Sequence, residues 1–271
     1  MSVVFDSGDR SEVARARDDL AEGLKRWTLW STLGWHDIRK RYRRSVLGPF
    51  WLTLSMAVLV GSLGLVYGTL FQLDLQNYLP FLSISLATWT LIAAILNEGC
   101  MSFVELEALI KNVRIPMSVH VLRILWRNLI IYAHNIVIFA VVAAIFGIWP
   151  GAVGLLAFFG IGLLAVNALW IMLLFGMICT RFRDVPLIIA SVIQLLFFVT
   201  PVMWKPELMG ERRGLVVLNP LYHIIELIRA PLLGSAPSWT SWVVVILLAL
   251  AGWTFTFLCY ARFRKRIAYW L

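Results

Sequence analysis

Six uncharged, apolar runs, at residues 50–71, 78–97, 129–149, 151–179, 185–204 and 239–261, set what this chain can fold into. A helix needs roughly 20 predominantly apolar residues to cross about 30 Å of hydrocarbon, and each run is near that length. Unpaired backbone groups are so costly in lipid that runs of this kind cross as helices. The expected fold class is therefore an all-α integral membrane protein with six transmembrane helices. The fourth run is long enough to tilt or to include an interfacial turn. Composition agrees: 61% of the residues are hydrophobic, 14% are charged and the mean hydropathy is +0.83, outside the range of ordinary soluble domains.

Charge then orients the runs. Of the 24 Lys and Arg residues, twenty precede the first run, lie between the second and third or the fourth and fifth, or follow the sixth. Lys205, Arg212, Arg213 and Arg229 fall on the opposite side. Positively charged loops remain cytoplasmic, so both termini are expected there. The net charge of +9 reads as topology and as contact with anionic head groups. A nucleic-acid partner would need that charge on a folded soluble surface, and this chain has hardly any. The leading residues MSVVFDSGDRSEVARARDDLAEGL are polar and mixed in charge, so no cleavable signal peptide is expected. Cys100, Cys179 and Cys259 are far apart and lack CxxC spacing, which reads as small buried thiols rather than metal or redox chemistry.

Before the first run stands WHDIRKRYRRSVLGPFW, residues 35–51, with a basic cluster followed by a Gly-Pro pair. At 100° per residue Trp27, Trp30, Trp35, Ile38 and Tyr42 share one arc, while His36, Arg39, Lys40 and Arg43 point elsewhere. That pattern predicts an amphipathic helix on the membrane surface over 27–48, ending in a turn at Gly48-Pro49. Arg41 falls inside the apolar arc, where a long stem can snorkel. The plainer alternative is a stop-transfer charge cluster with no further role.

Two connections have character of their own. Residues 98–128 form the one substantial cytoplasmic loop, with helical periodicity on both sides of Pro116; it either docks a soluble partner or merely links spans. On the outer side, 205–238 contains LNPLYHIIELIRAPLLG, too apolar for an exposed loop and too short and charged to span. A re-entrant or interfacial helix pair broken at Pro220 and Pro231 fits it, with Glu226 and Arg229 paired on one face and the whole acting as a gate. The expected organisation is a polar cytoplasmic N-terminus (1–26), the interface helix (27–48), a six-span membrane domain (49–261) and a cytoplasmic tail (262–271).

No catalytic constellation emerges. There is no Gly-Lys dipeptide, so no P-loop, and no HExxH or GxSxG motif. No Asp, Glu, Lys or Arg lies within the six runs, which argues against ion-coupled transport. Polar residues inside them, His134, Asn135, Asn167 and Gln194, serve either interhelical hydrogen bonding or a pathway. Trp89, Trp204 and other Trp residues form interfacial belts or line a conduit. Small residues four apart, Ala57 with Gly61 and Gly64 with Gly68, mark close helix contact, including a candidate dimer seam.

The motif W-x-D-I-x-x-R-Y-x-x-S-x-L-G-P-x-W is carried by Trp35, Asp37, Ile38, Arg41, Tyr42, Ser45, Leu47, Gly48, Pro49 and Trp51. With KNVRIPMSV (111–119), RFRDVP (181–186), TPVMW (200–204) and LNPLYHIIELIR (218–229), it resembles bacterial polysaccharide-export ABC permeases, the Wzm, KpsM and TagG-like subunits, and most of all the O-antigen type. The resemblance implies a six-span subunit of a type 2 ABC exporter in the bacterial inner membrane. It implies a homodimer, two separate ATPase subunits that bind ATP and Mg, no cofactor in this chain, and a polyprenyl-linked polysaccharide as cargo. It also implies roles: ATPase coupling for Trp35, Asp37, Arg41, Tyr42, Glu105, Lys111, Arg114 and Pro116; an outer gate at Pro220, Tyr222, His223, Glu226 and Arg229; and channel lining by Trp89, His134, Asn135, Asn167, Gln194 and Trp204. Capsule, teichoic-acid or galactan export are neighbouring readings, and drug or small-lipid efflux is a further one. A membrane-bound glycosyl- or acyltransferase would instead need an essential His or carboxylate, with His134 and His223 as the histidines to test.

Overall fold

The structure is a computed structural model that describes residues 11–43, 48, 50–113 and 115–271, apart from the side chains at 108, 109, 111 and 213. Ser45, Leu47, Pro49, Arg114 and the Lys111 side chain lie outside the described residues. Every regular element among the described residues is helical. Two helices, α1 (Glu12–Lys25) and α2 (Trp27–Tyr42), lead into α3 (Phe50–Leu70) and α4 (Leu75–Met101). A short α5 (Glu107–Asn112) precedes α6 (Met117–Phe146), α7 (Leu156–Arg181) and α8 (Val185–Val199). A single turn, α9 (Gly214–Val217), then α10 (Pro220–Leu232) and α11 (Trp239–Trp270), complete the chain.

Five segments are long and apolar enough to cross a membrane: Phe50–Leu70, Leu75–Met101, Met117–Phe146, Gly151–Arg181 and Trp239–Trp270. The protein is a multi-pass membrane protein. The sixth expected span, 185–204, is shorter than its apolar run, because α8 has 15 residues and measures roughly 22 Å at 1.5 Å per residue. The cause is Pro201. A proline disfavours helical geometry in the residue before it, and Thr200 accordingly turns extended at φ −86°, ψ 135°. The freed segment folds inward, burying Val202 and Met203.

The expected loop at 98–128 is also narrower than its run. Its first four residues complete α4, and α6 begins directly after Pro116, leaving 102–116 with a 3-10 turn (Val104–Leu106) and α5. Helix does stand on both sides of Pro116, as the periodicity indicates. In the expected outer hairpin, Pro220 opens α10, where a missing N–H costs nothing. Pro231 does not break that helix; it sits inside the last turn, near the end where α10 stops anyway.

α4 occupies the centre, packed against α3, α6, α7, α8 and α10. Its residues from Pro80 to Trp89 are all buried. Ser83, Ser85 and Thr88 among them bond to carbonyls of their own helix, at Pro80, Phe81 and Ile84, so their hydroxyls need no water. Thr88 also meets the Tyr132 hydroxyl of α6 at 3.1 Å. The Gly64 and Gly68 pair faces Leu79 and Leu75 at the start of α4, so that candidate dimer seam is spent on an intrachain contact; Gly61 faces open space. α10 lies so close to α7 that a Cβ on Gly160 would stand 2.6 Å from the Leu227 carbonyl oxygen.

Backbone cannot yield as a side-chain tip can. Gly160→Ala should therefore destabilise the detergent-purified protein by about 1–3 kcal/mol, read as a lowered thermal unfolding midpoint. Gly162→Ala, on the same helix with nothing within 4 Å, should leave the midpoint unmoved.

Candidate functional site

Charged side chains gather at two ends of the bundle. At one end α2 lies against the first turns of α6. The approach is close because Gly34 presents no side chain to the Arg123 carbonyl, where a Cβ would stand 3.0 Å away. Trp30 packs edge-on to Trp126 with ring centroids 5.9 Å apart, and Ile38 is buried. Trp27 and Trp35 stay exposed, so only part of the expected apolar arc is in protein contact.

The polar side of this contact is an ion-pair network. Asp37 accepts from Arg123 Nε at 2.6 Å and pairs with its Nη2 as well, a two-point grip. Arg127 Nη1 lies 3.4 Å from the same carboxylate, while its Nη2 donates to Glu98 of α4 at 2.6 Å. Asn128 donates to Glu98 and to the Ile124 carbonyl. Arg41 stands 3.7 Å from Glu98 at the exposed rim. Two carboxylates and three guanidiniums thus tie α2 to α4 and α6. Asp37, Arg123 and Arg127 side chains are only 14–17% exposed, which sets them apart from ordinary surface pairs.

A second tie at this end comes from the segment whose sequence is merely polar and mixed in charge, 1–26. α1 packs on α6 and α11 through Ala16, Asp19, Leu20 and Gly23. Asp19, buried, accepts from the Met117 and Ser118 amides at 3.1 and 3.2 Å, from the Tyr260 hydroxyl at 2.7 Å and from Arg264 at 3.1 Å. It caps α6 from another helix, satisfying two of the N–H groups that a helix start leaves free. The spacing of Val13, Ala16, Leu20 and Gly23 was the available signal. At the start of α1, Lys265 bonds Glu12 and holds its carboxyl below the usual carboxylate value.

The remaining expected coupling residues are placed as follows. Glu105 is exposed on the 3-10 turn and Pro116 is buried before α6. Tyr42 is half-buried, and burial raises its phenol above the ordinary value against the opposing influence of Arg41.

At the other end, α10 carries a buried arginine. Arg229, 2% exposed, donates to Glu226 at 2.6 and 3.0 Å, to Ser85 of α4 at 3.1 Å and to the Pro201 carbonyl at 2.8 Å. Its guanidinium also lies 4.3 Å from the centroid of the Phe81 ring. His223 is buried; its Nε2 bonds the Val217 carbonyl at 2.8 Å, which makes Nε2 the protonated nitrogen, and Nδ1 then accepts from Ser241 at 2.9 Å. Asn219 caps α10 and reaches Thr200 at 2.9 Å, and Tyr78 donates to the Met203 carbonyl at 2.6 Å. Pro220 opens α10 and the Tyr222 ring lies 6.0 Å from Arg229. The expected gate residues are thus brought together, and Ser85, Phe81 and Pro201 join them.

The six expected channel residues are not gathered in one place. Trp89 is buried against Phe197, and Asn167 joins α7 to α11 through the Val245 carbonyl while accepting from Trp170. His134 bonds its own helix at Ile130, and Asn135 is buried with its Oδ1 unpartnered among the described residues. Gln194 is exposed on α8, and Trp204 donates to the Phe198 carbonyl. Among the described residues no cluster of His, Cys, Asp or Glu could hold a metal.

Residues 28–233 match the family described as ABC-2 type transporter. The chain belongs to this family. It is a permease subunit, the transport part of an ABC transporter, and such a subunit implies a partnering ATPase. Among curated proteins it is similar to an O-antigen export system permease protein RfbA of Klebsiella pneumoniae, 23% identical over 70% of this chain and 74% of that protein. A permease of the same description from Myxococcus xanthus is 22% identical, again over 70% of this chain and 74% of its own length. The matched family region runs from the start of α2 to the end of α10, so both polar clusters have their main members inside it.

Replacing Asp37 by Ala strands two guanidiniums in a largely enclosed site and should cost about 2–3 kcal/mol, against less than about 1 for Arg41→Ala at the rim. Thermal unfolding of the two variants in the same detergent checks this order. At the other end Arg229→Leu should destabilise by about 3 kcal/mol because Glu226 is left without its partner. The double variant with Glu226→Leu should recover part of that loss.

Proposed function

We propose that this permease exports a lipid-linked, O-antigen-like polysaccharide outward across a bacterial inner membrane, as a homodimer driven by two separate ATPase subunits. The observation that carries the reading is the similarity, over 70% of the chain, to permeases described as belonging to O-antigen export systems. The fold supports it in two ways. α4 is buried along most of its length at the centre of the bundle, which leaves a polymer no axial path through one copy. A conduit then runs between two copies. The apolar runs also hold no Asp, Glu, Lys or Arg that could carry a coupling ion, so in this reading the energy comes from outside the chain.

In this reading α8 is the sixth crossing, both termini are cytoplasmic, and the Asp37–Glu98 end faces the ATPase. The connection 102–116, with Glu105 exposed, and α2 are the docking elements. A push on α2 reaches two spans at once because Asp37 and Glu98 tie it to α6 and α4. The Arg229 end faces outward and shapes the exit. The transfer of a sugar or acyl group would need a reactive His or carboxylate; both ring nitrogens of His223 are taken by Val217 and Ser241, and Nδ1 of His134 by the Ile130 carbonyl.

Gentle purification of the tagged permease from its native membranes should recover an ATPase and a polyprenyl-linked glycan by mass spectrometry. A folded, monodisperse protein that brings neither would overturn the export reading. Glu105→Lys should leave the permease monodisperse and lower ATPase recovery roughly tenfold or more, since a reversed charge at a docking rim costs more than its loss. Unchanged recovery and export would remove the connection from the coupling role.

A further inference from the structure

Outside both clusters, a groove of about 400 Å³ runs between the last turns of α7 and the second half of α11. That volume lies within the range of about 300–1,000 Å³ usual for ligand sites. Ile178, Phe255 and Cys259 make its wall apolar, and Arg181 and Arg266 line it together with Phe263 and Trp270. The arginines flank an aromatic pair. Phe263 and Trp270 have ring centroids 5.9 Å apart, with Arg181 at 5.8 Å from Trp270 and Arg266 at 5.8 Å from Phe263.

Their neighbours on α11 show what is unusual here. Arg264 pairs with Asp19 and Lys265 with Glu12. Among the described residues no carboxylate forms an ion pair with Arg181 or Arg266. Two uncompensated guanidiniums, held by flat rings beside an apolar trough, match a ligand that joins one anionic phosphate to a hydrocarbon chain. Trp and Arg side by side are also the residues that settle at head-group depth.

We propose that this groove binds an anionic phospholipid of the surrounding membrane, its phosphate between Arg181 and Arg266 and an acyl chain along Ile178, Phe255 and Cys259. The cytoplasmic leaflet follows from the orientation under Proposed function; the binding itself does not depend on it. An annular lipid held there would fix α7 and α11 at the end where α1 caps α6.

The test is native mass spectrometry of the delipidated full-length permease in detergent, titrated with phosphatidylglycerol, with phosphatidylcholine and with inorganic phosphate. Phosphatidylglycerol should be retained in preference to phosphatidylcholine, and inorganic phosphate should not displace it. The double variant Arg181→Gln, Arg266→Gln should weaken phosphatidylglycerol binding roughly thirtyfold, at about 1 kcal/mol for each basic residue near the membrane surface. Cys259→Phe, which fills the wall and keeps both charges, should weaken it too, and Arg17→Gln on the exposed side of α1 should not. Equal lipid retention by the double variant overturns the proposal. So does displacement by inorganic phosphate, which would mark a soluble-anion site. A Cys259→Phe variant that changes oligomeric mass but not lipid retention would assign the face to a second copy of the chain. ATPase and glycan play no part in these readouts, so failure here leaves the export reading standing and failure there leaves the lipid site standing.

Discussion

Within a bilayer an apolar side chain gains little by leaving lipid for protein, so cohesion between helices comes from close packing and from polar groups that find partners. The arrangement of this permease follows from that constraint. α4 holds the centre because its hydroxyls are satisfied by its own backbone and its surface is otherwise smooth and apolar. The strong polar contacts are pushed to the two ends. Arg229 reaches three acceptors on α10, α4 and the post-α8 turn at one end, and Asp37, Glu98 and Asp19 gather amides and guanidiniums at the other.

Each end uses its charges differently. Arg229 is almost completely enclosed, and its bonds to Ser85 and Glu226 make it a rivet that keeps α10 seated on α4. The Asp37 network is partly open to solvent and ends in a half-exposed Arg41. A buried pair of the first kind resists rearrangement because an exposed intermediate would carry an unpaired charge through a low-dielectric region. In the Asp37 network only the rim pair, Arg41 with Glu98, can exchange partners in water at small cost; Asp37 with Arg123 and Arg127 is held nearly as firmly as Arg229. Freedom to rearrange at the α2 end is therefore confined to its rim, the side proposed above to meet the ATPase.

Much of this was legible in the sequence, and the exceptions have physical causes. Apolar runs of spanning length located the long helices, and the alternation of polar and apolar positions located α2. The Glu226 and Arg229 spacing announced a pair that the structure contains. Run length could not show where helix stops inside a greasy segment, because Thr200 to Trp204 is as apolar as the helix before it; the Pro201 geometry decides that. Likewise the helix at 117–128 reads as part of a connection because Arg123 and Arg127 are charged, yet it runs unbroken into the span as α6, with those charges paired by Asp37 and Glu98. Partners in three dimensions let a charged segment join the span. Asp19 was invisible for the same reason: an aspartate in a mixed-charge segment looks solvated until the α6 amides, Tyr260 and Arg264 are brought to it.

The two acids at the α2 end also bear on how force would travel. Asp19 joins α1 to the first turn of α6 and to α11, and Asp37 joins α2 to the next turns of α6. Both therefore hold the same helix, within about two turns of Pro116. Any displacement of the 102–116 connection acts on α6 at that point, with α1 and α2 attached on either side. The ties to α1 and α2 would make α6 and both of these helices respond as one body, and the Thr88–Tyr132 bond links that body to α4 near mid-bundle. On the proposed orientation and pairing, an end held rigid by these acids and pivoting against the end pinned by Arg229 would open a path between copies rather than along the buried α4.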